Sequence, residues 1–556
     1  MPPGGAAFRG GPRLRRLGTA AALAALCACV FLQAYSSLRI KSLTFDELAY
    51  IPAGYSYVRT GDYRLNKEQP PLMKLLAGAA LLPLVPRLPT EHWSWTDAAD
   101  GEVGNTQWAF GREFLIGANE NGEALVRAAR LPTVLLTMLL VVVAYLFARD
   151  LYGRPAGLLA AVLCAFSPNL LAHGRLATTD LGLACFVLLS VYAYRRFTRA
   201  PTVPKLLFAG TALGLALVTK FSAVLLLPLT GLWAVALPLM SGGVPVPEGP
   251  WARLVEPPKL RALAFSLGSA AAIGLVALLV TSLAYQAPGR IDIYFRDLGM
   301  VGVNTQPAYL TYFNGIFHER RVPYYFVAAF LLKTPLGFLL LLAARAALSL
   351  KRSEESPGDR LLLFAPIALW VGVVSWRAFQ LGLRYILPVY PLLFVYAAGI
   401  VATPSFGRRG VRLAVAGLAA WFMASSLRAH PHYLPYFNEL AGGPENGIHW
   451  LDDSNVDWGQ DLILLRDFID ATGEQNLKVT PMAQYDPILY GIEAEVVPAR
   501  AVVRLLSRPN PPPGVYAVSA HVLNRARLDR SAPVDPLLDL DPVVVLGHSM
   551  YVFAFR

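Results

Sequence analysis

Between residues 17 and 427 the sequence alternates long apolar runs with short charged loops. In hydrocarbon every backbone N–H and C=O must be bonded within its own segment, so such runs fold as helices of about 20 residues that cross the bilayer. They fall at 17–38, 125–148, 156–172, 180–197, 205–219, 221–240, 262–285, 324–348, 361–378, 385–402 and 411–427. The pattern predicts an α-helical polytopic membrane protein with about 11 transmembrane helices. Only 15% of residues are charged, against about 25% in soluble domains.

The net charge of +12 sits in loops between apolar segments, where it sets topology and meets lipid headgroups; nucleic-acid binding is not expected. Cys27, Cys29, Cys164 and Cys185 all lie in apolar segments and read as packing residues, with no zinc spacing. Arg9, Arg13, Arg15 and Arg16 precede the first apolar run, and no small-x-small cleavage site follows it, so an uncleaved first span is expected. A hairpin at Thr219–Lys220 splits 205–240 into two spans. The loops at 241–261, 349–360 and 403–412, with three Lys or Arg each, then share the side of the N-terminus. By the positive-inside rule the N-terminus is cytoplasmic and the C-terminus extracytoplasmic; the short loops and the lack of eukaryotic retention signals fit a bacterial inner membrane.

Three regions then face outward: 39–124, 286–323 and 428–556. The first two are polar but carry Trp93, Trp95, Trp108, Tyr309, Tyr312, Phe313 and Phe317, a composition suited to short interfacial helices. Segment 70–87 is apolar but interrupted by Pro70, Pro71, Pro83 and Pro86, and reads as interfacial or re-entrant; if it spans, the parity of the topology changes. Residues 1–427 form the membrane domain. Residues 428–556 carry an amphipathic stretch (DLILLRDFID) and alternating runs (VYAVSAHV, MYVFAF), the marks of a small α/β domain outside the membrane.

Chemistry-bearing residues gather on this outer side. The Asp46–Glu47 pair follows the first span; it is either a general base at the membrane face or the cap of an interfacial helix. Arg175 and Asp180 in HGRLATTDLGL either bind phosphate and a polar ligand, or snorkel and cap. Lys220, His318, Arg320, Arg321 and Arg384 are either positive partners suited to a lipid phosphate and its departure, or charges that set topology and anchor headgroups. A divalent cation is optional; Glu68 and His318 are the candidate ligands. The run WLDDSNVDWGQD (452–461) reads as an acceptor- or cation-binding segment, or as a solvated loop ahead of a helix.

Taken together these motifs resemble the GT-C membrane glycosyltransferases, in the branch of the protein O-mannosyltransferases and the lipid A aminoarabinose transferase. FDE places Asp46 on the branch's catalytic carboxylate, beside Glu47. EQPPLMK is similar to its acid–double-proline motif through Glu68, Pro70 and Pro71. RLATTD keeps its Arg–Asp spacing through Arg175 and Asp180, and LRYILPVYP resembles a late-span motif carrying Arg384 and Tyr385. Gln69 departs from the aminoarabinose transferase pattern, which has Lys after the glutamate; Arg175, Lys220 or Arg384 then supplies the charge.

The resemblance implies a polyprenyl-phosphate sugar as donor, a groove for its lipid tail, and Asp46 as the base that activates a protein, lipid or cell-envelope acceptor. One displacement implies inversion. Glu68, Arg175, Asp180, Lys220, His318, Arg384 and Tyr385 are the implied donor-binding residues. No nucleotide sugar and no required cofactor are implied. A flippase, with polar residues through mid-membrane helices, and a non-catalytic assembly subunit are the rival readings.

Overall fold

The computed structural model describes residues 12–100, 106–240, 244–246, 258–286, 290–303, 310–351, 355–482, 486–528, 535 and 539–555. Most of the basic loop at 241–261, residues 352–354 of the loop at 349–360, and part of 286–323 lie outside the described residues.

The apolar runs fold as expected. The helices are α1 (Pro12–Arg39), α2 (Phe45–Thr60), α3 (Leu72–Leu81), α4 (Gly122–Tyr152), α5 (Arg154–Ala165), α6 (Pro168–Gly174), α7 (Thr179–Arg199), α8 (Val203–Leu217) and α9 (Leu226–Leu239). There follow α10 (Pro258–Ala284), α11 (Ile291–Val303), α12 (Tyr325–Lys333), α13 (Leu336–Lys351), α14 (Pro357–Arg377), α15 (Val389–Ala398) and α16 (Arg409–Ala429). Among the described residues seven helices are long and apolar enough to cross a membrane, or nine if the bent pairs α5–α6 (60°) and α12–α13 (114°) each count once. Val203–Leu217 and Val389–Ala402 are apolar but shorter. Each of the eleven sequence runs is thus occupied by a helix or bent pair, while the number that pass the length test is smaller. The chain breaks at Val218–Lys220, where the sequence predicts a turn, and α8 and α9 both pack on α10.

α7 is buried on nearly every face and forms the centre of the bundle. The first loop carries α2 and α3 across one end. The apolar helix Leu72–Leu84, at about 1.5 Å per residue, is too short for the ~30 Å hydrocarbon layer, so residues 70–87 do not span. α2 and α3 cross at Gly54 and Gly78: a Cβ on Gly54 would run into the Lys74 carbonyl, and one on Gly78 into the Gly54 backbone. The rings of Trp108 and Phe45 meet at a tilt, 4.2 Å between centroids, and Arg64 lies 4.6 Å over Trp95, fastening the loop to itself.

After α16 the chain threads back into the bundle before forming its sheet. Asn438 fills the sharp bend between α12 and α13, donating to the carbonyls of Leu331 (2.6 Å) and Thr334 (2.8 Å). Lys333, buried at the end of α12, donates to the carbonyls of Leu434, Tyr436 and Asn455. Beyond α17 (Leu462–Thr472) lies a five-stranded mixed sheet. A separate hairpin, β1 (Thr311–Phe313) and β2 (Ile316–His318), precedes it in sequence. The sheet strands are β3 (Leu477–Thr480), β4 (Glu495–Val496), β5 (Gly514–Ser519), β6 (Val544–Leu546) and β7 (Met550–Phe555), ordered β4-β3-β5-β7-β6. β3 runs parallel to β4 and β5; β7 is antiparallel to β5 and β6. The expected α/β tail is present, but residues 430–461 are part of the helical body.

Candidate active site

Four charged side chains from four distant segments meet where α2 and α7 begin. Asp46 lies in the first turn of α2. Its Oδ2 accepts a 2.6 Å bond from Arg384 Nη1, which sits in a 3-10 turn at Leu383–Ile386. The same Nη1 is 3.8 Å from Asp180 Oδ2, in the first turn of α7, and Lys220 Nζ closes the set at 2.6 Å from Asp180 Oδ1. A carboxylate there is favoured by the helix N-terminus. Tyr385 lies under both cations, its ring 5.2 Å from Lys220 and 5.4 Å from Arg384.

Exposure separates the two acids. The Asp46 side chain keeps 17% of its surface open, whereas Asp180 keeps 1%. Asp46 is therefore the carboxylate an incoming group can reach, and Asp180 the counter-ion that fixes Lys220. Burial pushes the Asp46 carboxyl above the usual range; Arg384 opposes this without cancelling it. Glu68 is likewise pushed up by burial. It accepts a 3.2 Å bond from Gln107 Nε2, and Gln107 accepts one from Asn66. Lys74, the last residue of EQPPLMK, is scaffold: its Nζ donates to Asn66 O, Asn66 Oδ1, Gln69 O and the Tyr57 hydroxyl.

Glu47, expected as a catalytic partner of Asp46, has the capping role instead. It faces the opposite way, fully buried, in a two-pronged pair with Arg130 (2.8 and 2.6 Å). It also accepts from the backbone N–H of Ala177 and Thr44 and from the Thr44 hydroxyl. Burial raises its pKa, but Arg130 and these bonds outweigh it and hold the carboxyl below the usual range.

Arg175 is also turned away from the cluster. It is fully buried, which excludes snorkelling, and it lies among the charges of Arg130, Asp461 and Glu47 rather than beside Asp180. Asp180 is not a cap either: Thr178 is the residue before the helix, and Asp180 Oδ1 accepts from Lys220 while Oδ2 faces Arg384. His318 lies in the β1–β2 hairpin and has no hydrogen bond or ion pair with Asp46 or Glu68. Arg321 donates to the carbonyls of Trp376, Arg377 and Ala378, a structural use. Among the described residues no group of three or more His, Cys, Asp or Glu is arranged to hold a metal ion.

The 452–461 segment is not a solvated loop; all of it is buried. Asp452 pairs with His521 (3.0 Å), Asp457 with the Ser519 hydroxyl, and Asp461 with Lys41 and Ser549. It also reaches the site. Trp458 lies against Arg384, 4.2 Å from ring centroid to guanidinium carbon, and Asn455 Oδ1 accepts the Leu383 N–H at 3.0 Å. Its four aspartates read locally as a hydrated run, and only their distant partners offset the cost of burial.

A sequence model of the dolichyl-phosphate-mannose-protein mannosyltransferase family matches residues 122–242. That stretch holds Arg175, Asp180 and Lys220, so the resemblance to the mannosyltransferase side stands without help from the acidic first loop. No curated protein matches the chain. Among solved structures the chain is similar to ArnT from Cupriavidus metallidurans in the apo state, at 14% identity over 95% of this chain and 97% of that chain, with a TM-score of 0.47. The same protein bound to undecaprenyl phosphate aligns at 14% identity over 95% and 97%, TM-score 0.44. The S. cerevisiae protein O-mannosyltransferase Pmt1-Pmt2 complex bound to the sugar donor aligns at 19% identity over 50% of this chain and 34% of that chain, TM-score 0.36.

Proposed function

We propose that this chain is an inverting glycosyltransferase that moves a sugar from a polyprenyl-phosphate carrier to an acceptor at the outer face of the membrane. The observation that carries this reading is the reachable Asp46 carboxylate, lifted in pKa and set against two cations that share a second, buried carboxylate. Asp46 takes the proton of the acceptor hydroxyl or amine as it attacks the anomeric carbon. The new bond forms on the face opposite the phosphate, the anomeric carbon–oxygen bond breaks, and the phosphate leaves on its polyprenol. Lys220 and Arg384 meet the charge that develops on the leaving phosphate. Glu68 and Tyr385 line the donor's sugar; no metal is needed for these steps. In this reading the N-terminus is cytoplasmic and the sheet extracytoplasmic, which the positive-inside bias of the basic loops supports.

The test is sugar transfer in proteoliposomes, with a panel of radiolabelled polyprenyl-phosphate sugars and membrane extract as acceptor source. Transfer from one donor, lost in Asp46→Asn with folding intact, is the expected result. Label that crosses the bilayer without transfer makes the chain a flippase. Full activity in both Asp46→Asn and Asp180→Asn refutes the assigned chemistry.

A further inference from the structure

We infer that Trp458 is a positioning residue of the proposed transfer, its ring holding Arg384 against Asp46, so that the C-terminal part of the chain completes the reaction centre. The inference rests on the reading of Asp46 given above.

Trp458 touches Arg384 with its ring and the residue before Asp46 with its backbone. Its ring face lies 4.2 Å from the Arg384 guanidinium, well within the ~6 Å reach of a cation–π contact. Its backbone carbonyl accepts the N–H of Phe45, the residue before Asp46, at 3.0 Å. The flanking residues repeat this two-sided grip. Toward the arginine, Asn455 accepts from Leu383 N–H and Ser454 Oγ donates to the Leu381 carbonyl. Toward the acid, the Gln460 carbonyl accepts from Ser42 N–H, and Ser42 Oγ donates to the Gly459 carbonyl. Gln460 Oε1 in turn accepts the Trp458 N–H at 2.7 Å, which fixes the residue between its two clients.

A buried tryptophan that only filled space would be served equally by any apolar side chain. Here the packed face of the ring meets a cation that is itself only 10% exposed, where loss of water strengthens the attraction. Arg384 has competing partners: Asp180 at 3.8 Å and the charge of Asp453 also act on it. A guanidinium with several carboxylates in reach needs an uncharged wall to keep it on one of them. The charged groups that face Asp46 are Arg384, Asp180, Lys220 and Glu68, and the Tyr50 and Tyr385 hydroxyls also lie within its field. Of these only Arg384 bonds Asp46, so loosening it alters the titration of that carboxyl.

The experiment replaces Trp458 alone by mono-, di- and trifluorotryptophan in the full-length protein, which weakens the negative ring face with little change of shape. The Asp46 carboxyl is followed by isotope-edited infrared titration, with Asp46→Asn as the subtraction control. The expected result is a stepwise rise of the Asp46 midpoint by roughly 0.5 to 1 pH unit across the series. In protein that transfers sugar, the acid limb of kcat/KM moves with it and the variants rejoin wild type at high pH. A midpoint that does not move overturns the role of Trp458. Wild type that transfers nothing from any donor overturns the functional reading instead, and the infrared titration still decides the contact.

Discussion

Asp46 and Glu47 are adjacent in sequence, and replacing each by its amide should separate their roles. Glu47→Gln turns one oxygen into a donor. Oε1 accepts from Arg130 Nε and Ala177 N–H, and Oε2 from Arg130 Nη2, Thr44 N–H and Thr44 Oγ1, so either choice leaves at least two donors facing a donor. Arg130 also loses its counter-charge while fully buried. Breaking a buried pair from one side costs about 3–5 kcal/mol. Asp46→Asn keeps an oxygen for the 2.6 Å bond from Arg384 and removes a charge that burial already disfavours, so its cost is about 1 kcal/mol or less. The assay is thermal or detergent-titrated unfolding of the solubilised protein, with transfer rates on the folded fraction. Asp46→Asn should unfold like wild type and lose about 10²–10⁴ in rate. Glu47→Gln should unfold early but keep its rate per folded molecule. Because the folded Glu47 pKa is lowered, its stabilisation is full above the ordinary value of about 4.3 and is lost as pH falls through the folded value. The stability gap from wild type should therefore be complete at pH 7 and begin to narrow only as pH falls below about 4.3. A Glu47→Gln protein that folds normally but is inactive, or an Asp46→Asn protein as unstable as Glu47→Gln, refutes this assignment.

Because the Asp46 pKa is raised, kcat/KM should fall on acidification at a pH above the ~3.9 of an ordinary aspartate, and a limb at or below that value contradicts the burial assigned to it. Lys220→Met should lower kcat/KM by about 10²–10³, with part recovered in Lys220→Arg; equal rates in all three would remove Lys220 from the site. Gly54→Ala and Gly78→Leu should each lower stability by about 1–3 kcal/mol or more in the same unfolding assay, since neither crossing residue has room for a Cβ. Treatment with a chelator should leave transfer within about twofold of the untreated rate, measured in the proteoliposome assay; a larger, metal-restored loss would give Glu68 a ligand role.

Local chemistry made much of this protein readable in sequence. The apolar runs became helices because a bilayer leaves backbone groups no other partner, and α2 begins at Thr44 because a Thr–Glu capping box is a four-residue event. Asp46, Asp180, Lys220 and Arg384 were singled out because charges at the ends of apolar runs need a reason to be there. Which way each side chain points was not local. Asp46 and Glu47 are neighbours, yet helix geometry turns them to different faces, one toward Arg384 and the other toward Arg130, 83 residues away. Arg175, only five residues before Asp180, was lost to a different charge cluster in the same way. The burial of 452–461 is not legible locally, because its acids find partners only after α17, the sheet and the first loop have closed around it. Sequence alone determined the membrane helices and the inventory of charged groups, since both follow from short-range bonding and solvation. Only the tertiary structure decided which acid stays reachable and which tryptophan braces its arginine, because those contacts join residues more than 70 positions apart and depend on packing that no single segment encodes.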